Sequence, residues 1–320
     1  MSAKHTSTGP RLSGWSVIIA AYNRGPLIKP TLDSVLQQTV QPEEIIVVDD
    51  GSTDGTGDWV NEHFPELQVA RKPNGGTSSA RNHGASVATG QTLMFLDHDD
   101  LLLPNALAAL ARLLEVYPQA SAAHCDHEYR NDDADVFHKN HHYTIPSFQR
   151  LLDTDVISNS DGERLYGYPL YRSLLWGNLL QQPWAIRKEV FEQVGGFSED
   201  VRYCEDWDIY LRVTQRFPVV VSDEVISTHM IEGENLHLAD GDKQDVMYEK
   251  VLRRRHQSHS TLSFQENRIT RKKLASIEKM RGDRAKKKSL DRDAWRAYVK
   301  SFGWWPFDHV VAARLLLWLR

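Results

Sequence analysis

Through the first 130 residues, apolar runs of strand length alternate with amphipathic stretches of helix length. That pattern belongs to a parallel sheet covered on both faces. WSVIIAAY (15–22) is apolar throughout and reads as a buried strand. A helix is predicted from Pro26, a favourable first helical residue, to Gln38, with Leu27, Leu32, Val35 and Leu36 as its buried face. EEIIVVDD (43–50) is the second strand, and GSTDGT leads into a helix over 57–64. LQVARK (67–72) is a short third strand, a helix over 79–89 follows NGGTSS, and QTLMFLD (91–97) is the fourth strand.

Beyond residue 130 the alternation fades, and the segment to 180 is polar, aromatic and irregular. PWAIRKEVFEQVGGF (183–197) reads as a strand and a helix stopped by Gly195-Gly196. CEDWDIYLRVTQRF (204–217) is an amphipathic helix with acids in its first turn, and PVVVSDEVISTHM (218–230) returns as strand. From 245 onward helices are predicted, joined by the basic stretch RGDRAKKKS and ending in the aromatic segment WWPFDHVVAARLLLWLR. The expected organisation is a disordered tail (1–13), a regular half (14–130), an irregular half of the same domain (131–244), and a basic helical extension (245–320).

Composition narrows the class. Apolar residues make up 41% and charged residues 25% of 320, as in ordinary globular proteins, and no stretch reaches the roughly 20 apolar residues that span a bilayer. The first thirteen residues lack the apolar segment of a secretory signal, so a cytoplasmic location is expected. Cys125 and Cys204 have no CxxC spacing, which excludes a disulfide scaffold. The net charge of −5 hides a division: Lys250 to Arg320 carries 19 Lys and Arg against 6 Asp and Glu, so the body is strongly acidic. The tail therefore suits an anionic surface, and the body a different task.

The chemistry concentrates at strand ends. FLDHDD (95–100) and VVDD (47–50) each close an apolar strand with carboxylates. In open α/β sheets ligands bind beyond the carboxyl ends of the strands, so Asp49, Asp50, Asp97 and Asp99 are expected to converge on one crevice. Repelling acids so placed call for a cation, and a divalent metal that also takes phosphate oxygens fits them.

SVIIAAYNRG, VVDDGSTDGT, NGGTSSARNHGASVATG, FLDHDD and GGFSEDVRYCEDWDIYLR, in that order over residues 15–232, resemble the motifs of the inverting family 2 glycosyltransferases of GT-A fold. The resemblance implies an α/β fold, a mostly parallel sheet flanked by helices with a helical C-terminal segment. It also implies transfer of a sugar from a nucleotide-diphosphate donor, usually a UDP-sugar, to a hydroxyl of a glycan or lipid-linked acceptor. Carried over, Ala20, Tyr22, Asp50, Asn82, Asp97, His98 and Asp99 would form the nucleotide-sugar site, with Tyr22 and Asp50 at the base. Asp99, Asp97 and, on a looser match, His229 would hold Mn2+ or Mg2+. Asp206 would be the general base, with Glu205 beside it able to exchange roles. Trp176, Asn178 and Trp184 fall in the acceptor-binding half.

Plainer readings stand beside these. Asp54 suits a helix cap and the Glu205-Asp206 pair suits compensation of a helix dipole. HCDHE (124–128) tempts a zinc reading, but strand alternation would split its ligands between two faces. FHKNHHY (137–143) reads as a polar acceptor-side loop, and Gly75-Gly76 as a tight turn, since the Lys and Ser/Thr of a phosphate loop are missing. The large aromatics serve equally as core. The basic tail, with Trp304, Trp305, Phe307 and Trp318, is expected to meet an anionic membrane at the inner face of the plasma membrane, and packing within the chain or in an oligomer is its rival. A nucleotidyltransferase lacks its Gly-rich basic start here, a nucleic-acid binder would carry no acidic crevice, and a non-catalytic glycan binder would not need the carboxylates.

Overall fold

The computed structural model describes residues 11–130, 136–138, 156–160, 162–175, 180–230, 241–258 and 263–317. Four parallel strands, β1 (Arg11–Ala21), β2 (Gln41–Asp49), β3 (Gln68–Arg71) and β4 (Thr92–Asp97), lie in the order β3-β2-β1-β4. The joining helices are α1 (Lys29–Leu36), entered through a 3-10 turn at Gly25–Ile28, α2 (Thr56–His63) and α3 (Thr77–Val87). Residues 11–13, expected in the tail, extend β1, with Arg11 and Leu12 in register with Gln41 and Pro42.

β1 is apolar without alternation because both of its faces are covered. Val17 and Ile19 join the cluster that includes Leu32 of α1 and Val60 of α2, while Ile18 faces Gly84 of α3. A Cβ at Gly84 would strike Ile18 and stand 3.0 Å from the Val48 side chain, so glycine is what lets α3 approach the sheet. Each such buried aliphatic side chain is worth about 1.5–3 kcal/mol.

The chain continues through β5 (Asp100–Leu102), α4 (Ala106–Val116), β6 (Ala122–Arg130), β7 (Val136–His138), β8 (Val156–Ser160), β9 (Glu163–Tyr166) and α5 (Pro169–Leu174). β10 (Trp184–Arg187), α6 (Lys188–Gln193), α7 (Glu205–Thr214) and β11 (Val219–Met230) complete this part. The sheet extends from β4 as β10-β6-β11-β9-β8. β10 runs antiparallel to both β4 and β6, and β11 is parallel to β6. The carboxyl ends of β1, β2, β4, β6 and β11 therefore share one edge, and that edge carries the acids. Strands β8 and β9 lie in the stretch where the sequence predicts little order.

Contacts divide the chain into two compact units, Met1–Ser173 with Asn178–Asn235, and Leu174–Gly177 with Leu236–Arg320. The second contains α8 (Gly241–Ser258), α9 (Phe264–Lys287), α10 (Asp291–Trp304) and α11 (His309–Leu317). RGDRAKKKS, expected as a connector, is mostly the end of α9. Its Ala, Lys and Arg favour helix, and its cations suit a helix C-terminus. Arg281 is fixed by Glu249 at 2.5 Å and Arg284 by Asp245, so this segment is held to α8. α9 opens with a capping box, Ser263 with Glu266.

Candidate active site

Asp49 and Asp50 end β2 and turn to different tasks. Asp49 Oδ1 accepts from the Ser52 amide at 2.9 Å and shapes the following turn. Asp50, 3% exposed, accepts from Lys72 Nζ (2.7 Å) and from the amides of Gly75 (3.0 Å) and Gly76 (2.7 Å). It therefore fixes the Gly75-Gly76 turn as the floor of the crevice. Tyr22 stands at the end of β1, 47% exposed, while Ala20 is buried in backbone register with Asp97.

The loop after β1 is tied down by a threonine. Thr56 Oγ1 accepts from the amides of Arg24 (2.9 Å) and Gly25 (2.8 Å), and it donates to Asp54 Oδ1. Asp54 also accepts from the Thr56 amide at 2.9 Å, so it serves the start of α2 from one residue before the cap, Gly55. The Thr56 hydroxyl bond lowers the Asp54 pKa. Arg24 Nε donates to His98 Nε2 at 3.2 Å. That nitrogen is thus an acceptor, and the ring proton sits on Nδ1, 3.6 Å from Asp99 Oδ1. Burial lowers the His98 pKa and keeps the ring neutral. His98, expected at the nucleotide sugar, is thus held by Arg24 of the loop after β1.

Arg81 of α3 joins distant parts of the chain. Its side chain is 3% exposed and bonds Asp97 of β4 and, at 3.0 Å, Glu205 of α7. Burial opposes its charge, but Asp97 and Glu205 more than offset this and raise its pKa. Burial likewise opposes the charge of Asp97, and Arg81 wins and lowers that pKa. The link brings the first turn of α7 to the DxD strand and gives the three acids of CEDWD different partners. Glu205 is held by Arg81, whereas Asp206 accepts from the Trp207 amide at 2.7 Å. Asp208 is fully buried with Ser198 (2.6 Å) and Arg212 (3.0 Å).

Asp100, the last acid of FLDHDD, was given no separate role by sequence reasoning. It is buried and lies opposite His229 in the β5–β11 pairing, with Oδ2 3.2 Å from His229 Nδ1. Burial, then Asp97 and Asp99, raise the Asp100 pKa, and burial lowers that of His229. Both shifts disfavour a full charge on either partner of this buried pair. His229 packs on His127, ring centroids 4.3 Å apart, and its Nε2 has no hydrogen-bond partner. The signal for this pair was the third carboxylate itself, which is one more than a DxD needs.

Asn82, expected at the nucleotide sugar, donates its amide to the Phe197 carbonyl (2.9 Å) and accepts from the Phe197 amide (2.8 Å), clamping the loop before α7. Trp184 is no acceptor platform, being fully buried against Tyr210 with centroids 4.6 Å apart. Trp176 and Asn178 lie outside the described residues, as does most of FHKNHHY. Opposite HCDHE the pairing of β6 with β11 shifts register through extra residues on β11, and His124 and Tyr129 both reach Gln181, at 2.8 and 3.1 Å. Cys125 packs in the core, and both cysteines are free and buried.

For a metal, no group of three ligating side chains is assembled among the described residues. Asp97, Asp99 and His229 are thus not a ready-made cage. The donor chemistry still fits a divalent cation: Asp99 is 58% exposed and Asp97 37%, and Mg2+-type sites use one or two carboxylates completed by phosphate oxygens and water.

A parallel half-sheet with acids at its carboxyl edge, extended by a mixed half that delivers a second acidic helix start, defines a GT-A type transferase fold. Among solved structures, S. aureus TarS 1-349 matches with a TM-score of 0.62 at 16% identity, covering 92% of this chain and 81% of that one. A Pyrobaculum calidifontis mannosyltransferase, solved with GDP-Man and Mn2+, matches with a TM-score of 0.56 at 18% identity, covering 97% and 80%. The family model described as "Glycosyl transferase family 2" matches residues 16–177, and the chain belongs to that family. An uncharacterized glycosyltransferase of Rickettsia typhi is 27% identical over 75% of this chain and 71% of its own length. Chondroitin synthase of Pasteurella multocida is 25% identical over 72% of this chain and 22% of its own. The chain spans 62% of a related uncharacterized glycosyltransferase from Haemophilus influenzae.

Proposed function

We propose that this protein transfers a sugar, with inversion, from a nucleotide-diphosphate donor, a UDP-sugar, to a hydroxyl of a glycan or lipid-linked acceptor in surface polysaccharide synthesis. The observation that carries the reading is the Arg81 bridge, which ties the DxD strand to the acidic start of α7, where Glu205 and Asp206 stand in the first turn. Tyr22 stacks on the base above the floor that Asp50 holds. Asp206 takes the proton of the acceptor hydroxyl as its oxygen attacks the anomeric carbon, and the bond to the diphosphate oxygen breaks on the opposite face. Asp99 and Asp97 would hold Mn2+ or Mg2+, which when bound offsets the charge of the departing diphosphate. His229 stands behind them, oriented by Asp100.

Among the described residues no helix is long and apolar enough to cross a membrane. The basic C-terminal helices bring the enzyme to an anionic membrane surface, the inner face of the plasma membrane, where a lipid-linked acceptor is held.

Calorimetric titration with UDP tests the donor site. Binding is expected with Mn2+ and not with EDTA, and Asp99→Ala should abolish it. Asp206→Asn should keep binding and lose transfer, by a factor of about 100 or more. Full transfer activity in that variant would remove Asp206 as the base.

A further inference from the structure

Two of the C-terminal aromatics that the sequence offers for membrane contact, Trp304 and Trp305, are covered by cations, whereas Phe307 is exposed. Arg253 lies over the Trp304 ring at 5.0 Å, and Lys272 and Arg268 over Trp305 at 4.7 and 5.7 Å. Trp318 lies outside the described residues. Among the described residues of this unit the exposed aromatics are Phe264, first in α9, Phe307, between α10 and α11, and Trp295, in the middle of α10 and 41% exposed.

The residues of α10 sort cleanly around its axis. Ala294, Ala297, Tyr298 and Ser301 are buried and hold the helix to its neighbours: Tyr298 donates to Asp283 at 2.7 Å and Ser301 to the Ala275 carbonyl at 2.8 Å. On the opposite side Trp295 and Val299, four apart, make an exposed apolar stripe. Arg292, Arg296 and Lys300, also at spacings of four, make an exposed basic stripe beside it. At 100° per residue the two stripes are adjacent and share the outward face. Asp291 and Asp293 fall in the first turn, where they suit the helix dipole, and are spoken for by Lys286 (2.7 Å) and Arg296 (3.8 Å). Lys287 and Lys288, both exposed, add charge at the α9–α10 turn.

We propose that this face of α10 is the surface that meets an anionic lipid bilayer. The inference rests on the membrane reading of the C-terminal helices given above and names the residues responsible. An indole and a valine in line fit the boundary between headgroups and acyl chains, and the long basic side chains beside them reach the lipid phosphates. Nucleic acid is the weaker match, because base stacking would ask for several exposed aromatic faces among the cations, and this face presents one. With so small an apolar stripe, most of the attraction is electrostatic, so binding is reversible and falls as salt rises.

The test is co-sedimentation of the full chain with vesicles of phosphatidylglycerol and phosphatidylcholine, against vesicles of phosphatidylcholine alone. Wild type should bind the anionic vesicles and release them in high salt. The triple variant Arg292→Gln, Arg296→Gln, Lys300→Gln should lose about tenfold or more in partitioning, and Trp295→Ala several-fold, with circular dichroism and UDP binding unchanged. Wild type that ignores anionic vesicles overturns the membrane reading, and this assignment with it. Wild type that binds them while both variants bind equally well overturns the assignment to α10 alone. Loss of oligonucleotide binding in the triple variant, with vesicle binding intact, would give the face to nucleic acid instead.

Discussion

At the scale of single residues, the crevice is organised by which carboxylate is already taken. Asp50 is bound by Lys72 and two amides, Asp97 and Glu205 by Arg81, and Asp208 by Ser198 and Arg212. Asp100 is committed to His229 across the β5–β11 pair. A carboxylate on one imidazole nitrogen fixes which nitrogen is left to face a ligand, and such partners are worth 10–100-fold in metal affinity in roughly comparable sites. Asp100→Asn, nearly isosteric, should therefore weaken Mn2+-dependent UDP binding by about tenfold with little change in melting temperature. Asp208→Asn should do the reverse, losing about 1–3 kcal/mol of stability while leaving the metal dependence of binding in place. Equal UDP affinity in Asp100→Asn and wild type would show that His229 needs no such orientation.

At the scale of elements, a single side chain closes the edge of the sheet away from the crevice. Glu44 Oε1 on β2 accepts from Ser16 Oγ (2.6 Å), the Thr89 amide (2.6 Å) and hydroxyl (2.9 Å), and the Gly90 amide (3.0 Å). Burial opposes its ionisation, but these donors prevail and lower its pKa. A lowered carboxyl pKa contributes stability above the unfolded value, about 4.3, and that contribution is lost as pH falls through the folded value. Glu44→Gln should cost about 1–2 kcal/mol at pH 7, and the gap should close below pH 4. Urea midpoints for both proteins at several pH values measure it, and a gap independent of pH would assign the effect to shape rather than charge. The parallel strands were legible because their burial on both faces leaves long apolar runs, as in WSVIIAAY, and the acids at their ends stood out against those runs. The mixed half was not, since β8 and β9 are short and polar, and neither Arg81 nor Asn82 announces which distant loop it will hold. Asp100 was visible as a letter but not as a role, because its partner arrives through a pairing 129 residues along the chain.

At the scale of the whole molecule, the charge division of the sequence follows the division into two units, an acidic one with the crevice and a basic helical one. The helical unit has a small core of its own around Ala294, Tyr298 and Val311. It is closely packed at Gly282 of α9, where an added Cβ would stand 2.5 Å from Tyr298 Cε1 and 2.7 Å from Cδ1. The ring cannot retreat freely, because its hydroxyl is bonded to Asp283 and Arg314 lies 5.2 Å from its centre. Gly282→Ala must therefore push α9 and α10 apart, an overpacking that costs about 1–3 kcal/mol. The outward face of α10 depends on that packing for its position, whereas the donor crevice is built from residues of the other unit. Gly282→Ala should accordingly lower the melting temperature and weaken binding to anionic vesicles, while UDP titration in Mn2+ gives the wild-type affinity at 25 °C. A parallel loss of UDP binding at that temperature would mean that the two units unfold as one, and that the charge division does not separate two tasks.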